Sequence, residues 1–293
     1  MLEYGSISEL VSAALESGKS ISEVVIEDQA EQFEMPFSEL YRRMEQRLAV
    51  MEAAVKSGMN PNLKSTSGLT GGDAARLWEY AKAGGITGGF MNRAMARALA
   101  VSEENAAMGK IVAAPTAGSC GILPGTIVSL LEEGRCTRDA AVMSLFTAGA
   151  FGIVIASRAT IAGAEGGCQA ECGSASAMAA AAVVEIMGGS AGQCANACAM
   201  AIKNQLGLVC DPVAGLVEIP CIKRNVSGVV IAFSAAEMAL AGIESKIPAD
   251  ECIDAMRDVG SSMPCALKET ARGGLAATPT GERLREQVFG KKS

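Results

Sequence analysis

Apolar residues recur at helical spacing in the first part of the chain. One helical face would carry Ile7, Leu10, Val11, Ala14 and Leu15, because apolar positions three and four residues apart align on a helix. Ser6 precedes Glu9 by three positions, which is the spacing of a capping box, and Gly18 suits a helix end. The same box begins at Ser20 and predicts a second helix, which should stop near Pro36.

Helical patterns continue through the rest of the chain. A third helix is predicted over residues 38–56, and Asp73 suits the N-cap of a fourth. Further helices are predicted over residues 87–107, 125–133, 137–157, 173–187, 191–206, 226–243 and 248–259. No alternation of apolar and polar residues lasts for more than a few positions, so the pattern predicts an all-α fold.

Charged residues are concentrated near the N-terminus. Residues 1–56 carry 11 acidic and 5 basic side chains, whereas residues 140–222 carry seven charged side chains in all. This contrast predicts a charged helical layer over residues 1–58 and a helical catalytic region over residues 59–293. We expect the two to form one continuous domain.

The overall charge and hydropathy bear on partners and location. A net charge of −7 opposes binding to phosphate backbones, so no nucleic-acid partner is expected. The uncharged run 140–157 reaches membrane-spanning length, but the Ser, Thr and Gly within it favour a buried core helix and no membrane partner. The first residues lack the basic and apolar regions of a secretion signal, so a cytoplasmic location is expected.

The chain contains no histidine. Histidine is the usual general base and the commonest metal ligand, so catalytic triads with His and zinc sites with His are excluded. Proton transfer must therefore fall to a Lys, Glu, Asp, Tyr or Cys side chain, or to another chain.

Ten cysteines are present, and none forms a C-x-x-C pair. Cys194 and Cys198 lie four residues apart in a predicted amphipathic helix, which favours buried small side chains. Cys168 follows two glycines, and Cys210 and Cys221 lie beside prolines, which places them in predicted irregular segments. Three such thiolates would leave one iron of a [4Fe–4S] cluster open. Spacing alone is equally compatible with three buried core cysteines.

Two glycine-rich loops are the candidate substrate-binding segments. Residues 113–125 precede a predicted helix, whose N-terminal amides favour an anionic group. The candidate catalytic residues are Thr116, Ser119 and Glu165, and the candidate substrate-binding residues are Lys64, Ser65, Thr66, Ser67, Gly118 and Asn225. Ordinary turns remain the alternative for both loops, and helix capping remains the alternative for Glu165 and Asn225.

Four segments carry a resemblance to a known family: EGGCQAECGSASAMAAA, NQLGLVCDPVAGLVEIPCIKRN, SEENAAMGKIVAAPTAGSCGILPG and KETARGGLA. Together they resemble iron–sulfur-dependent L-serine dehydratase, and most closely the alpha chain of its two-subunit bacterial form. The resemblance runs from about residue 64 to residue 281. The matching family cysteines correspond to Cys168, Cys210 and Cys221, which lie 42 and 11 residues apart.

The resemblance implies an all-α, multi-helix catalytic domain with a [4Fe–4S] cluster held by loops at helix ends. It also implies L-serine ammonia-lyase activity without pyridoxal phosphate, giving pyruvate and ammonia, and a beta subunit as partner. Single-chain relatives carry a cysteine at the very C-terminus, whereas this chain ends VFGKKS. A mechanism with a cysteine at the C-terminus is therefore not expected.

Two alternatives remain open from the sequence. One is an iron–sulfur lyase that removes sulfide from L-cysteine, and the other is a non-catalytic helical metal-binding scaffold. A pyridoxal-phosphate dehydratase is disfavoured, because no strand–helix alternation is present. Because histidine is missing, we expect a beta subunit to complete the site by supplying the general base. If the base instead belongs to this chain, Lys64, Lys110 and Glu165 are the candidates.

Overall fold

The computed structural model describes residues 4–290 and shows helices throughout them. The α-helices are α1 (Ile7–Ser17), α2 (Ile21–Gln32), α3 (Phe37–Gly58), α4 (Asp73–Lys82), α5 (Gly88–Ala106), α6 (Ile122–Glu132), α7 (Arg138–Arg158), α8 (Gly163–Gly166), α9 (Ser174–Ile186), α10 (Ala191–Lys203), α11 (Cys221–Leu240), α12 (Ala249–Ser262) and α13 (Pro279–Phe289). No β-strand occurs between residues 4 and 290, where extended pairing is limited to one bridge between Cys210 and Lys268. The prediction of an all-α fold is confirmed.

The N-terminal helices begin and end where their capping signals lie. Ser6 accepts a hydrogen bond from the Glu9 amide, and Gly18 ends α1 with a φ of 68°. Ser20 and Glu23 form both hydrogen bonds of a capping box at the start of α2. These local signals need no tertiary contact to act, so sequence spacing alone predicts them correctly.

Three predicted helix starts are wrong. Helix α11 begins at Cys221, five residues before the predicted start, because Pro220 can directly precede a first helical turn. Cys221 therefore lies in a helix and not in an irregular segment. Helix α6 begins at Ile122 and not at Gly125, and the N-cap of α4 is Gly72, with Asp73 as the first helical residue.

The centre of the fold is the alanine-rich helix α9. Its residues 174–184 are all buried, and α9 packs against α6, α7, α10 and α11. Alanine and glycine side chains let these helices approach closely, as Gly228 shows: a Cβ there would lie 2.4 Å from Cδ1 of Ile122. Helices α1, α2 and α3 contribute Ile7, Leu10 and Leu48 to the same buried apolar cluster.

Helix α7 is long and apolar enough to span a membrane by length and composition. Within its most apolar 18-residue window, 67% of the residues are buried inside the protein. Burial of this extent is typical of a core helix, as the sequence predicts.

Three connecting segments are joined by backbone hydrogen bonds. They lie between α7 and α9, between α10 and α11, and between α12 and α13. The amide of Gln169 donates to the carbonyl of Leu208 at 2.9 Å, and the amide of Cys210 donates to the carbonyl of Leu267 at 2.8 Å. These backbone bonds bring the sequence-distant cysteines into one region.

Candidate functional site

The structure brings Cys168, Cys210 and Cys221 together at this junction. Cys168 precedes a π-helical turn (Gln169–Gly173), Cys210 forms the isolated bridge, and Cys221 is the first residue of α11. All three are buried and free. Burial raises the pKa of the Cys221 thiol to about 12, and the charge of Cys168 adds to the rise. The same two causes raise the pKa of Cys210, so the three sulfur atoms lie within electrostatic reach of one another.

A fourth thiol, Cys172, belongs to the same cluster. Its Sγ lies 3.5 Å from the Sγ of Cys168, within hydrogen-bond distance for two sulfur atoms. That contact raises the pKa of Cys172 and lowers the pKa of Cys168, which Arg224 also lowers. The family resemblance gives Cys172 no role. The π-helical turn is what places it beside Cys168, and such turns are frequent at functional sites.

Arg224 supports the cysteine cluster from α11. Its guanidinium donates to the carbonyl of Val209 at 2.7 Å and to Oδ1 of Asp211 at 2.8 Å, and it also reaches the Cys168 sulfur. Asp211 is buried and accepts a further bond from the Leu275 amide at 2.7 Å. Neither residue is predicted from the sequence, although each lies within the cysteine motif and an Arg–Asp pair is a strong buried pairing.

Two predicted hydroxyl residues form a chain that ends on a carboxylate. Oγ of Ser119 lies 3.1 Å from Oγ1 of Thr116, and Oγ1 of Thr116 donates to Oε1 of Glu171 at 2.9 Å. Burial raises the pKa of Glu171, and the hydrogen bond from Thr116 opposes this rise. Glu171 was not predicted, although it lies in the segment EGGCQAEC. The structure thus joins Thr116, Ser119 and the cysteine segment.

Asn225 connects the loop of Gly118 to the start of α11. Its Nδ2 donates to the carbonyls of Gly118 and Cys221 at 2.8 and 2.9 Å, and its Oδ1 accepts from the Gly121 amide at 2.9 Å. These bonds use both amide hydrogens of a buried side chain. Asn225 therefore fixes the position of Cys221 relative to the predicted substrate loop.

The loop that begins with Lys64, Ser65, Thr66 and Ser67 contacts the segment before α11 through Thr70. Oγ1 of Thr70 donates to the buried Glu218 carboxylate at 2.6 Å, three residues before Cys221. Ser65 is buried, and its Oγ lies 3.2 Å from Oγ of Ser67. Lys64 and Thr66 are exposed, and Lys64 lines an open cavity of about 610 Å³ beside the loop.

Glu165 stands apart from the other predicted site residues. It is exposed, and its Oε2 accepts a hydrogen bond from Oγ1 of Thr160 at 2.7 Å. The carboxylate at the cluster is that of Glu171, six residues later. Adjacency to Cys168 in the sequence therefore does not identify the carboxylate that lies near the cysteines. The π-helical turn places Glu171 there instead.

The residues at the junction fit an iron–sulfur cluster by their chemistry. Cysteine thiolates are the usual ligands of such clusters. The backbone of Gly163 packs directly against them, because a Cβ there would lie only 3.0 Å from Sγ of Cys210 and 2.7 Å from Oε2 of Glu171. Within residues 4–290 no three Cys, Asp or Glu side chains converge as ligands of a single metal ion.

Comparison with known proteins identifies the family of this chain. Residues 16–276 match the family model described as serine dehydratase alpha chain. The chain is 51% identical over 288 residues to a probable L-serine dehydratase alpha chain of Bacillus subtilis, covering 98% of this chain and 96% of the relative. It is 46% identical over 282 residues to the L-serine dehydratase alpha chain of Peptoniphilus asaccharolyticus, covering 96% and 97%.

A longer relative carries the same region. The L-serine dehydratase of Streptomyces coelicolor is 38% identical over 275 residues, which cover 92% of this chain and 59% of the relative. The family model begins at residue 16, so the matched region includes most of the charged N-terminal layer as well as the cysteine segments. The chain belongs to the serine dehydratase alpha-chain family.

Proposed function

We propose that this chain is the alpha subunit of an L-serine ammonia-lyase, which converts L-serine to pyruvate and ammonia without pyridoxal phosphate. The observation that carries the proposal is the buried convergence of Cys168, Cys210 and Cys221 next to the Thr116–Glu171 pair. The alpha-chain relatives, similar over nearly the whole chain, support the same reaction.

Cys168, Cys210 and Cys221 are the proposed ligands of a [4Fe–4S] cluster. When bound by three thiolates, such a cluster offers one open iron as a Lewis acid toward the leaving hydroxyl group. Gly163 lets the backbone pack directly against Cys210, and Arg224 offsets negative charge at Cys168. Thiols of this kind suit a reducing compartment, which supports a cytoplasmic location.

The remaining predicted residues bind and orient the substrate. Thr116 and the buried Ser119 carry hydroxyl groups in the turn that precedes α6, and Gly118 lies between them. Amides near a helix start favour a carboxylate. Asn225 holds this loop against Cys221, and the segment from Lys64 to Ser67 forms the neighbouring wall through Thr70 and Glu218.

Glu165 has a more distant role in this proposal. It is exposed on α8 and bonded to Thr160, so it orients the turn before Cys168 and does not contact substrate. We propose that this hydrogen bond fixes the conformation of the turn that leads to Cys168.

A beta subunit completes the proposed site. The relatives of matching length are named alpha chains, and the Streptomyces relative contains this region as only 59% of its length. Elimination also needs a base for the α-proton of serine. The chain has no histidine, so the partner is proposed to supply the base.

The test is a substrate comparison on the assembled enzyme. The chain is purified without oxygen, loaded with iron and sulfide, mixed with the beta subunit, and assayed with L-serine and with L-cysteine. Pyruvate formed preferentially from L-serine, lost in air and restored by ferrous iron with thiol, is the expected result. Preferential sulfide release from L-cysteine would indicate a desulfidase, and no turnover of either amino acid would indicate a metal-binding scaffold.

A further inference from the structure

The segment that follows α5 has unpaired main-chain groups. From Gly109 to Ala113 the chain runs without a helix, a turn or a bend. Within residues 4–290, no N–H or C=O group of residues 110–114 forms a hydrogen bond. Ile111 and Val112 are β-branched, which suits an extended strand. Residues 110–114, called the edge segment below, therefore present their main chain as an edge strand does when it has no neighbour.

Side-chain packing holds the edge segment in place. Ile111, Val112 and Ala114 are partly buried and pack against the main apolar core. The main chain is therefore already ordered, so pairing with another strand would cost little further ordering. Two residues beyond the edge segment, Thr116 donates to Glu171 in the candidate site. A strand that pairs with the edge segment would lie close to that site.

An apolar cavity of about 270 Å³ lies next to the edge segment. Its walls include the end of the edge segment, from Val112 to Ala114, and the side chains of Met44, Met51 and Met178. A Cβ added at Gly149, which also lines the cavity, would meet nothing within 4 Å outside the backbone of its own helix. The space is thus open to an apolar side chain, and methionines adapt readily to the shape of such a group.

Two cations flank this surface without an anionic partner. Arg47 lines the cavity and Lys110 begins the edge segment, and both are exposed. In the part of the chain that the structure describes, neither side chain forms an ion pair or a hydrogen bond. No carboxylate of these described residues lines the cavity, although the whole chain has a net charge of −7. The local charge therefore favours a partner that carries a carboxylate.

We propose that the edge segment binds an extended segment of the beta subunit, which pairs with it as a neighbouring strand. Main-chain hydrogen bonds would join the two segments, while an apolar side chain of the partner enters the cavity and a carboxylate meets Arg47. Such strand addition is a common mode of recognition. The inference rests on the proposed function, in which the partner supplies the base that this chain, without histidine, lacks. Docking here brings the partner next to Thr116, where the substrate is proposed to bind.

The test is amide hydrogen exchange, measured by mass spectrometry on the cluster-loaded chain alone and with the beta subunit. In the isolated chain the amides of the edge segment should exchange rapidly, because no hydrogen bond protects them. In the complex, about two or three of these five amides should exchange about tenfold more slowly or slower still, because alternate residues of a strand face its neighbour.

A pair of charge reversals tests the role of Arg47. Arg47→Glu is compared with Lys56→Glu, since both residues are exposed cations of α3 without an ion pair. They lie nine positions apart, about two and a half helical turns, and therefore on opposite faces of α3. Arg47→Glu should weaken binding of the beta subunit by about tenfold or more at low salt, and less at high salt. Lys56→Glu should change the dissociation constant by less than about twofold. Calorimetry gives the dissociation constants, and the thermal midpoint of each variant shows that it is folded.

The possible failures of this inference and of the proposed function can be told apart. Binding of the beta subunit without protection of the edge segment, or with equal effects of the two charge reversals, would overturn the docking site and leave the lyase function standing. Protection that appears in the isolated chain and grows with its concentration would show a second copy of this chain at the edge segment, and would also overturn the docking site. Wild-type chains that neither associate nor form pyruvate from L-serine would instead overturn the proposed function.

Discussion

The side-chain amide of Asn225 donates a hydrogen bond of 2.8 Å to the backbone carbonyl of Gly118, 107 residues earlier in the chain. The same Nδ2 atom also bonds to the carbonyl of Cys221. One buried amide therefore sets the distance between the loop proposed to bind substrate and a cysteine proposed to bind the cluster.

Replacement of Asn225 by Asp should damage both stability and the site. The variant loses both donor hydrogens and buries a charge, which we expect to cost about 3 kcal/mol of unfolding free energy. Asn196→Asp is the control, because Asn196 makes similar backbone bonds, to Gly192 and Ser245, away from the cluster. Iron retention should fall only in Asn225→Asp. Equal iron content in the two variants would contradict the positioning role of Asn225.

Addition of a methyl group at Gly163 should exclude the cluster. In Gly163→Ala the new Cβ would lie 3.0 Å from Sγ of Cys210 and closer still to Glu171, so we expect most of the bound iron to be lost. Gly149→Ala is the control, since Gly149 in α7 has no atom within 4 Å of an added Cβ. That change should be neutral or should stabilise the helix by about 0.5–1 kcal/mol. Normal iron content in Gly163→Ala would show that the cluster lies elsewhere.

Glu185 should make stability depend on pH. Burial raises the pKa of its carboxyl above the ordinary value of 4.5, although hydrogen bonds from Ser22 and Thr147 oppose this. Folding therefore favours the protonated carboxyl. The stability that this preference contributes is fully present below the pKa of the carboxyl in the unfolded chain, and it is lost as the pH rises through its pKa in the folded protein.

The check is denaturant unfolding of Glu185→Gln and wild type at about pH 5 and about pH 7.5. The unfolding free energy of Glu185→Gln minus that of the wild type should be larger at the higher pH than at the lower pH. The exposed Glu16→Gln variant should show no such change. A relative stability of Glu185→Gln that falls as the pH rises would reverse the sign and refute this account of the residue.

The isolated chain should hold its cluster and still fail to turn over serine efficiently. A general base contributes about 10²–10⁴-fold in rate, so the loaded chain alone should form pyruvate at less than about a hundredth of the rate with the beta subunit. The measurement is pyruvate formation before and after the beta subunit is added. Full activity of the isolated chain would place the base among its own Lys and Glu residues.

The sequence predicts those features that short-range patterns control. The N-cap at Ser6 and the capping box at Ser20 place α1 and α2 correctly, and apolar spacing identifies an all-α fold. The family resemblance of the segments around Cys168, Cys210 and Cys221 selects three thiols that the fold does bring together. Each of these signals lies within a few residues or within one recognisable motif.

Other features depend on tertiary packing and escaped prediction. Glu171 and Cys172 reach the cluster because a π-helical turn redirects the chain after Cys168, and no local pattern predicts such a turn. Arg224 meets Asp211 only because α11 begins at Cys221. Glu165, next to the motif glycines, points to solvent instead.

The most direct test of the account is the iron and acid-labile sulfide bound per chain by five single Cys→Ser variants. Cys194 and Cys198 are as buried as the proposed ligands but lie in α10, within the helical core. Ser at position 168, 210 or 221 should remove most of the iron and sulfide, because a hydroxyl group replaces a thiolate ligand. Ser at position 194 or 198 should leave both near wild-type levels. Equal losses in all five variants, or full retention in any of the first three, would contradict the assignment of Cys168, Cys210 and Cys221 as the cluster ligands.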